Sequence, residues 1–539
     1  KKRAAAFLLA GILSMSMLAG CGGGGNSSSS SEKQTSGGTS GEVAAGDDNF
    51  NETGLPIVKE PVELTFLYVK GANTMDFKDN AMFQQMEKDT NVKINWQYAG
   101  DADWSEQKSL LLASGDLPDV FFGDNALKDN DIATNLDMFI PLEDYFEKYC
   151  PNISAILDLP GVREKMTAPD GHIYTIPYVC ADSTVGYSPY INTKWLENVG
   201  MSMPTTTDEF EAVLKAFKEQ DANGNGDASD EIPFSTDPNN KHIEAMAGYF
   251  GLPMNKLGIA IQNEKVVYGG VSDTYREFLS WFHKLYAEGL VDVELYTQDS
   301  STWEGKGNQD LYGVSIAYGS NEFTGIPAAE ERGDFDSMPV LNTDKDGIWL
   351  RDTEGFSVYR TQAVITNKAE HPEIICRWFD NAFALENGIG CNRGPVGVIV
   401  NKEDDGYHAI DTTTLSEEDQ EKYSWGNLWP QSLPKYLPAD FEFVEEHPMY
   451  DEKKATEEAY EANLTKEIIP SYWIDLDKID TFSDTNTAIK DFFEQQQAQF
   501  VCGELDIDND ADWQAYVDGM YSLGLEDWVA TQGIEEIAK

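Results

Sequence analysis

Basic residues are scarce in this chain: 39 Lys and Arg stand against 94 Asp and Glu, a formal charge of −55. So acidic a surface excludes nucleic acid as a partner and simple adsorption to anionic lipid, since both reward positive charge. It also disfavours a strongly anionic ligand outside a local basic pocket. Histidine is as sparse. The six, His172, His242, His283, His371, His408 and His447, are scattered, and none falls in HExxH or another metal spacing. There is no GxSxG elbow, no GxxxxGK phosphate loop and no convincing GxGxxG. A glycosidase needs two carboxylates facing each other across a cleft, and among 94 acidic residues no pair is singled out. Cysteine is limited to Cys21, Cys150, Cys180, Cys376, Cys391 and Cys502, with no CxxC. Nor does any apolar run after the leader approach the roughly 18 residues of a membrane span.

What is present begins with an address. Lys1, Lys2 and Arg3 form a basic n-region, and Ala4 to Met17 is a short apolar h-region. Leu18, Ala19, Gly20 and Cys21 then match a lipobox, at which cleavage leaves a diacylglycerol-bearing Cys21 as the first mature residue. Residues 1–20 are therefore read as a lipoprotein signal peptide, and 21–55, rich in Gly, Ser and Thr, as a lipid-anchored flexible tether. The expected location is the extracytoplasmic face of the cell membrane. With Cys21 lipidated, five cysteines remain. That odd number excludes a full disulfide framework and leaves one or two bridges or, more plainly, buried free thiols.

The remaining body is too long for one core, which implies two lobes. Val62–Val69 and Val92–Tyr98 read as strands, and Trp104 opens a helix that ends at Gly115. Asp119–Phe122 follows as a strand, so helices alternate with strands as in a mainly parallel α/β sheet. Farther along, Thr206 and Glu209 have capping-box spacing. Phe210, Val213, Leu214 and Phe217 recur at i, i+3, i+4 and i+7, the stripe of a helix on a core. The 12 Trp, 24 Tyr and 26 Phe are enough for two cores with rings to spare. The run Asp506 to Asp512 reads as an acidic helix start.

The capped helix runs into DANGNGDASDEIP, a loop suited to a hard cation. Asp221, Asn223 and Asn225 offer oxygens at alternate positions, and Gly226 stands where a calcium loop turns sharply. Asp227 can supply a backbone carbonyl, with Ser229, Asp230 or Glu231 closing the shell. Ile232 rather than Glu at the twelfth position and Pro233 after it exclude a full EF-hand.

Taken in order, DGHIYTIP (Asp170–Pro177), WLENVG (Trp195–Gly200), PTT (Pro204–Thr206) and the loop from Asp221 to Pro233 resemble the family 1 extracellular solute-binding lipoproteins of bacterial ABC importers. The long oligosaccharide-binding members and the alginate-binding proteins are the nearest in pattern. LLLASGDLPDVFF (Leu110–Phe122) and the W-x-x-Y-V tail at Trp513 extend the resemblance over nearly the whole chain after the leader. It implies an α/β, two-lobed periplasmic-binding-protein-like (type II) fold with a ligand cleft between lobes. Residues 56–177 and 355–390 would form one lobe, and 178–354 and 391–539 the other. It further implies a structural Ca2+ held by Asp221, Asn223, Asn225, Asp227, Asp230 and Glu231. The partners implied are an oligosaccharide and the permease subunits of an ABC transporter, with the protein monomeric, membrane-bound through its lipid and not an enzyme.

Sugars expose C–H faces that stack on aromatic rings and hydroxyls that need polar partners. Ligand-binding candidates at element ends are Trp104, Asp124, Asn125, Tyr178, Trp303, Tyr318, Trp425 and Trp429. Trp195, Trp281 and Trp378 lie in helical apolar stripes and are expected in the core.

Overall fold

The computed structural model describes residues 48–538, apart from 71–75, 182, 239–241, 326–332, 354–355, 411, 424–432, 439–440, 442, 445–447, 471–472 and 476. The leader, Cys21, most of the tether, Trp425 and Trp429 lie outside the described residues. Ten strands build two main sheets: β1 Val62–Lys70, β2 Val92–Gly100, β3 Val120–Phe122, β4 Thr175–Ala181, β5 Ser188–Asn192, β6 Ile232–Thr236, β7 Tyr312–Ala317, β8 Phe335–Ser337, β9 Phe356–Ile365 and β10 Lys435–Leu437. The first sheet has the order β10-β4-β9-β3-β1-β2 and the second β8-β5-β7-β6. Among the described residues no helix is long and apolar enough to cross a membrane.

In the first sheet β1 runs parallel to β2 and to β3, with Phe66 opposite Trp96 and Val120. Leu64, Phe66, Leu67, Tyr68 and Val69 are all buried, because a parallel sheet is covered on both faces. Side chains alternate between those faces. Phe66 meets Trp378 edge-on at 5.3 Å and Phe379 at 5.7 Å, both from the helix Pro372–Ala382. Leu67 and Val69 pack instead with Trp104, Leu112 and Phe121. The helix Trp104–Ser114 closes on Gly115 in the left-handed region, as its sequence predicts.

In the second sheet the helix Thr207–Glu219 buries its predicted stripe. Thr206 caps it, its hydroxyl accepting from the Glu209 N–H at 3.2 Å. The Glu209 carboxylate reaches back to the N–H of Thr205 rather than of Thr206. Phe217 lies edge-on to Trp195 at 5.3 Å and Phe210 to Phe234 at 6.3 Å. A Cβ on Gly313 of β7 would sit 2.4 Å from the Phe217 ring, so only glycine lets this helix lie so close. Trp195 and Trp378 are buried as expected, and Trp281 is half-buried against the same core. Asn509 caps the helix Asp510–Ser522, the role expected of the acidic run.

Three expected boundaries move, the smallest being the first lobe's end at 177, since β4 carries the first sheet on to Ala181. Residues 48–55 belong to the folded body rather than to the tether: Phe50 packs edge-on against Tyr149, and the Arg377 guanidinium donates to the Gly54 carbonyl at 3.0 Å. The chain also stays with the first sheet beyond residue 391. β10 pairs in parallel with β4, Lys435 opposite Tyr178, before the helix Pro448–Tyr460 joins the second sheet's β8.

The DGHIY stretch is tied down by an ion pair between His172 and Glu143, whose other carboxylate oxygen accepts from the Ile173 N–H at 3.1 Å. Glu143 raises the His172 pKa, with Asp170 and Asp144 adding to the effect. For Glu143 burial pushes upward, but His172 and the Ile173 N–H outweigh it and its pKa falls. The histidine's contribution is complete below its ordinary 6.5 and is lost as pH rises through the raised value. The glutamate's is complete above its ordinary 4.5 and is lost as pH falls through the lowered one. His172→Gln should therefore lower the melting temperature most between about pH 4.5 and 6.5. A deficit independent of pH, measured by thermal melts across that range, would assign the loss to packing.

Candidate functional site

The connection from β4 to β5 fixes where a ligand can sit. β3 and β4 both run antiparallel to β9, and β10 runs parallel to β4, so β1, β3, β4 and β10 end at one edge of the first sheet. In the second sheet β6 and β7 are parallel, and β5 starts with Ser188 opposite Ala317 at the end of β7. Residues 182–187 thus join the carboxyl edge of one sheet to the carboxyl edge of the other. Open α/β sheets bind ligands outside those edges. The chain crosses again between Arg351 and β9, and a third time between β10 and the helix Pro448–Tyr460.

The crossings are fastened to one another by charged side chains. Glu457 accepts from the Ser183 hydroxyl at 2.7 Å and the Thr184 N–H at 2.8 Å. The Asp352 carboxylate accepts from the Gly186 N–H at 2.6 Å, while its own N–H donates to Thr184 at 3.0 Å. The Lys453 ammonium donates to the carbonyls of Gly186 and, at 2.7 Å, Tyr318. A Cβ at Gly186 would lie 2.4 Å from the Asp352 carboxylate.

Aromatic side chains line both joined edges. On the first, half-buried Tyr178 stacks on exposed Tyr359 at 5.5 Å and 18°. The Lys435 ammonium lies 4.8 Å from the Tyr178 ring centre, and burial pulls its pKa down to about 8. After β3, one Asp124 oxygen is buried with no hydrogen-bond partner, and burial raises this carboxyl's pKa. Asn125 beside it is exposed. On the second edge Tyr187 stacks on His242 at 4.0 Å and 13° and meets Tyr318 edge-on at 6.1 Å. Lys453 covers the Tyr318 ring at 3.9 Å. His242 has φ +47°, uncommon for a non-glycine residue, and burial drives its pKa down to about 4. It is neutral at pH 7.

Of the predicted ligand residues, Asp124, Asn125, Tyr178 and Tyr318 stand at these edges. Trp104 and Trp303 do not. Trp104 is buried, its indole N–H donating to the Ala126 carbonyl at 2.8 Å. Trp303 is buried with Phe323, its N–H donating to Ser315 at 3.2 Å. Both rings are spent on core packing. Tyr187, His242 and Tyr359 escaped the sequence reading, since nothing in their spacing sets them apart from core aromatics.

The loop after the capped helix turns at Gly224 and Gly226, with φ +74° and +95°. Gly226 donates its N–H to Asp221 at 3.0 Å, and Asn225 donates its own to Asn223 at 3.0 Å. The side-chain amides of Asn223 and Asn225 converge on Asp230, at 3.2 and 2.7 Å. Glu231 accepts from the Ala222 N–H at 2.9 Å, and its second oxygen is buried without a partner. Burial raises the Glu231 pKa, Asp230 adding its charge. Asp227 turns its carboxylate to Ser229, leaving its backbone carbonyl as the possible ligand. An orphaned buried carboxylate oxygen beside a second carboxylate is costly unless a cation joins them, so the residues present fit Ca2+.

A two-lobed α/β body with a cleft between joined sheet edges is the architecture of a solute-binding protein. The chain belongs to the bacterial extracellular solute-binding protein family, whose model matches residues 71–388. It is 33% identical over 335 residues to the fructooligosaccharide ABC transporter substrate-binding protein FusA of Streptococcus pneumoniae. That match covers 60% of this chain and 61% of FusA, so the chain spans about three-fifths of that curated relative. It is 28% identical over 270 residues to the lipoprotein LipO of Bacillus subtilis, covering 48% and 50% of the two chains. The solved structure of S. pneumoniae FusA in complex with kestose superposes with a TM-score of 0.76 at 26% identity, over 87% of this chain and 98% of that one.

Gly186→Ala should cost about 1–3 kcal/mol through overpacking against Asp352 and lower the urea midpoint. Gly305→Ala, in a helix with nothing within 4 Å of the new Cβ, should be neutral or stabilising. Equal midpoints for both variants would show that the crossing tolerates a side chain.

Proposed function

We propose that this chain is the substrate-binding lipoprotein of an ABC importer, which captures an extracellular oligosaccharide and hands it to a membrane permease. The carrying observation is the pair of aromatic groups, Tyr178–Tyr359 and Tyr187–His242–Tyr318, at the joined edges of the two sheets. Stacked rings complement the C–H faces of sugars, while Asp124 and Asn125 offer polar groups to hydroxyls. FusA's designation as a fructooligosaccharide-binding protein supports a sugar. The chain's acidity favours a neutral one. Cys21 would anchor a monomeric receptor to the membrane, and LipO's designation as a lipoprotein supports that anchor. Nothing in the arrangement calls for catalysis: the lobes close on the ligand because it contacts both, and only differential affinity for the closed state shifts that equilibrium.

Titration calorimetry against a panel of neutral oligosaccharides should find a ligand whose affinity changes little with salt. Tyr359→Ala and Tyr187→Ala should each weaken it about five-fold or more, a stacking increment of about 1 kcal/mol. After overnight incubation the sugar should return intact by chromatography. A shortened product would make the protein an enzyme, and a panel without binders beside a tight peptide ligand would make it a peptide receptor.

The loop 221–231 would hold a structural Ca2+ through Asp221, Asn223, Asn225, the Asp227 carbonyl, Asp230 and Glu231. A solved EF-hand mutant of S. pneumoniae FusA, 26% identical with a TM-score of 0.74, supports a calcium loop in such a chain. Calcium should raise the melting temperature of the wild type by the amount that mass action dictates, and Asp221→Ala should abolish that rise. A midpoint indifferent to chelator, with no copurifying metal, would reduce the loop to a turn.

A further inference from the structure

Two of the five cysteines in the folded body meet across a helix junction. Cys150 ends the helix Glu143–Tyr149 and begins the helix Pro151–Leu157. Its N–H closes the first of these helices by donating to Phe146 at 3.0 Å. The second helix starts against Asp380 of the helix Pro372–Ala382. The Asp380 carboxylate accepts from the Ile153 N–H and from the Asn152 amide, both at 2.9 Å. Cys376 lies one helical turn before Asp380 and therefore on the same face. That places its side chain beside the junction, next to the Cys150 thiol, and both thiols are free in this structure. Both side chains are fully buried. The other three lie elsewhere. Cys180 is half-buried in β4, Cys391 is buried in the helix Leu385–Arg393, and Cys502 is exposed at the end of the helix Ile479–Cys502.

We propose that Cys150 and Cys376 form a disulfide in the exported protein, stitching the helix Pro151–Leu157 to the helix Pro372–Ala382. The chemistry is thiol–disulfide exchange with an external disulfide of the extracytoplasmic space. One thiolate attacks that disulfide and expels a thiol. The second thiolate then displaces the other half, so two S–H bonds are lost, one protein S–S bond forms and the oxidant leaves as two thiols. Burial holds the Cys150 thiol well above its ordinary pKa in the folded protein. The exchange therefore belongs to folding, before this core closes. A bridge from 150 to 376 closes a long loop, the kind whose unfolded chain loses most freedom.

The test is a peptide map of the full chain. The protein is exported by its own leader, denatured in iodoacetamide and digested without reductant. The expected result is a linked pair of peptides containing Cys150 and Cys376, with Cys180, Cys391 and Cys502 alkylated. In melts, unfolding in the presence of reductant should lower the midpoint by about 3 °C or more. The Cys150→Ala, Cys376→Ala double variant should show no such dependence on reductant. Alkylation of all five residues, or a bridge from either residue to Cys180, Cys391 or Cys502, would overturn the proposal. The map is made on the wild type, so a variant that fails to fold leaves the question answerable.

Discussion

The structure depends on satisfying the backbone where the chain passes from one sheet to the other. Each lobe has its own apolar core, around Phe66 and Trp378 in one and Trp195 and Phe217 in the other. Among the described residues, 183–187 between them have no strand partner, and a backbone group left unpaired there costs about as much as a lost hydrogen bond. Glu457, Asp352 and Lys453 supply the missing partners at residues 183–186. Glu457 and Lys453 share one helix, four residues apart and so on one face. That single helix face therefore organises the joint. Because the joint lies at the carboxyl edges, anything held beside it touches both sheets, which gives an extracellular solute-binding protein its cleft.

Most elements were legible because their signals are local. Thr206 and the stripe from Phe210 to Phe217 specify a capped amphipathic helix whatever the rest of the chain does. Gly115 ends its helix by its own conformational freedom. The place of β10 was not legible, since a three-residue edge strand gains its meaning only from β4, far away in sequence. The terminal boundary moved for a related reason: what holds residues 48–55 is Arg377 and Tyr149, not their own composition.

The site divides along the same line. Asp124, Asn125 and Tyr318 follow strand ends, which can be read from sequence, whereas Tyr178 lies within β4. Whether a given ring faces a cleft or a core is decided by what packs over it. Trp104 and Trp303 illustrate the point, because each has a buried partner for its indole N–H, in the turn after β3 and in β7 respectively. Tyr187 and His242 become a pair only because β5 and β6 flank β7, which brings the start of β5 near the segment after β6.

The loop from Asp221 to Glu231 poses a separate question, whether a bound ion could reach the cleft. Glu231 is followed at once by Ile232, the first residue of β6, whose N–H donates to the Leu311 carbonyl at 2.8 Å. The ligand edge lies at the other end of that strand, after Thr236. Five residues of extended chain span about 17 Å, several times the length of a metal–oxygen bond. An ion held by Asp221, Asp230 and Glu231 would thus join the end of the helix Thr207–Glu219 to the start of β6 without touching a ligand. The Asn198 amide already reinforces that corner by donating to the Ala222 carbonyl at 2.8 Å. Ser229 turns back on Asp227, while Asp230 meets the asparagines and Glu231 carries the orphaned oxygen. The loop's acidity therefore bears on holding one lobe together, away from the aromatic edges.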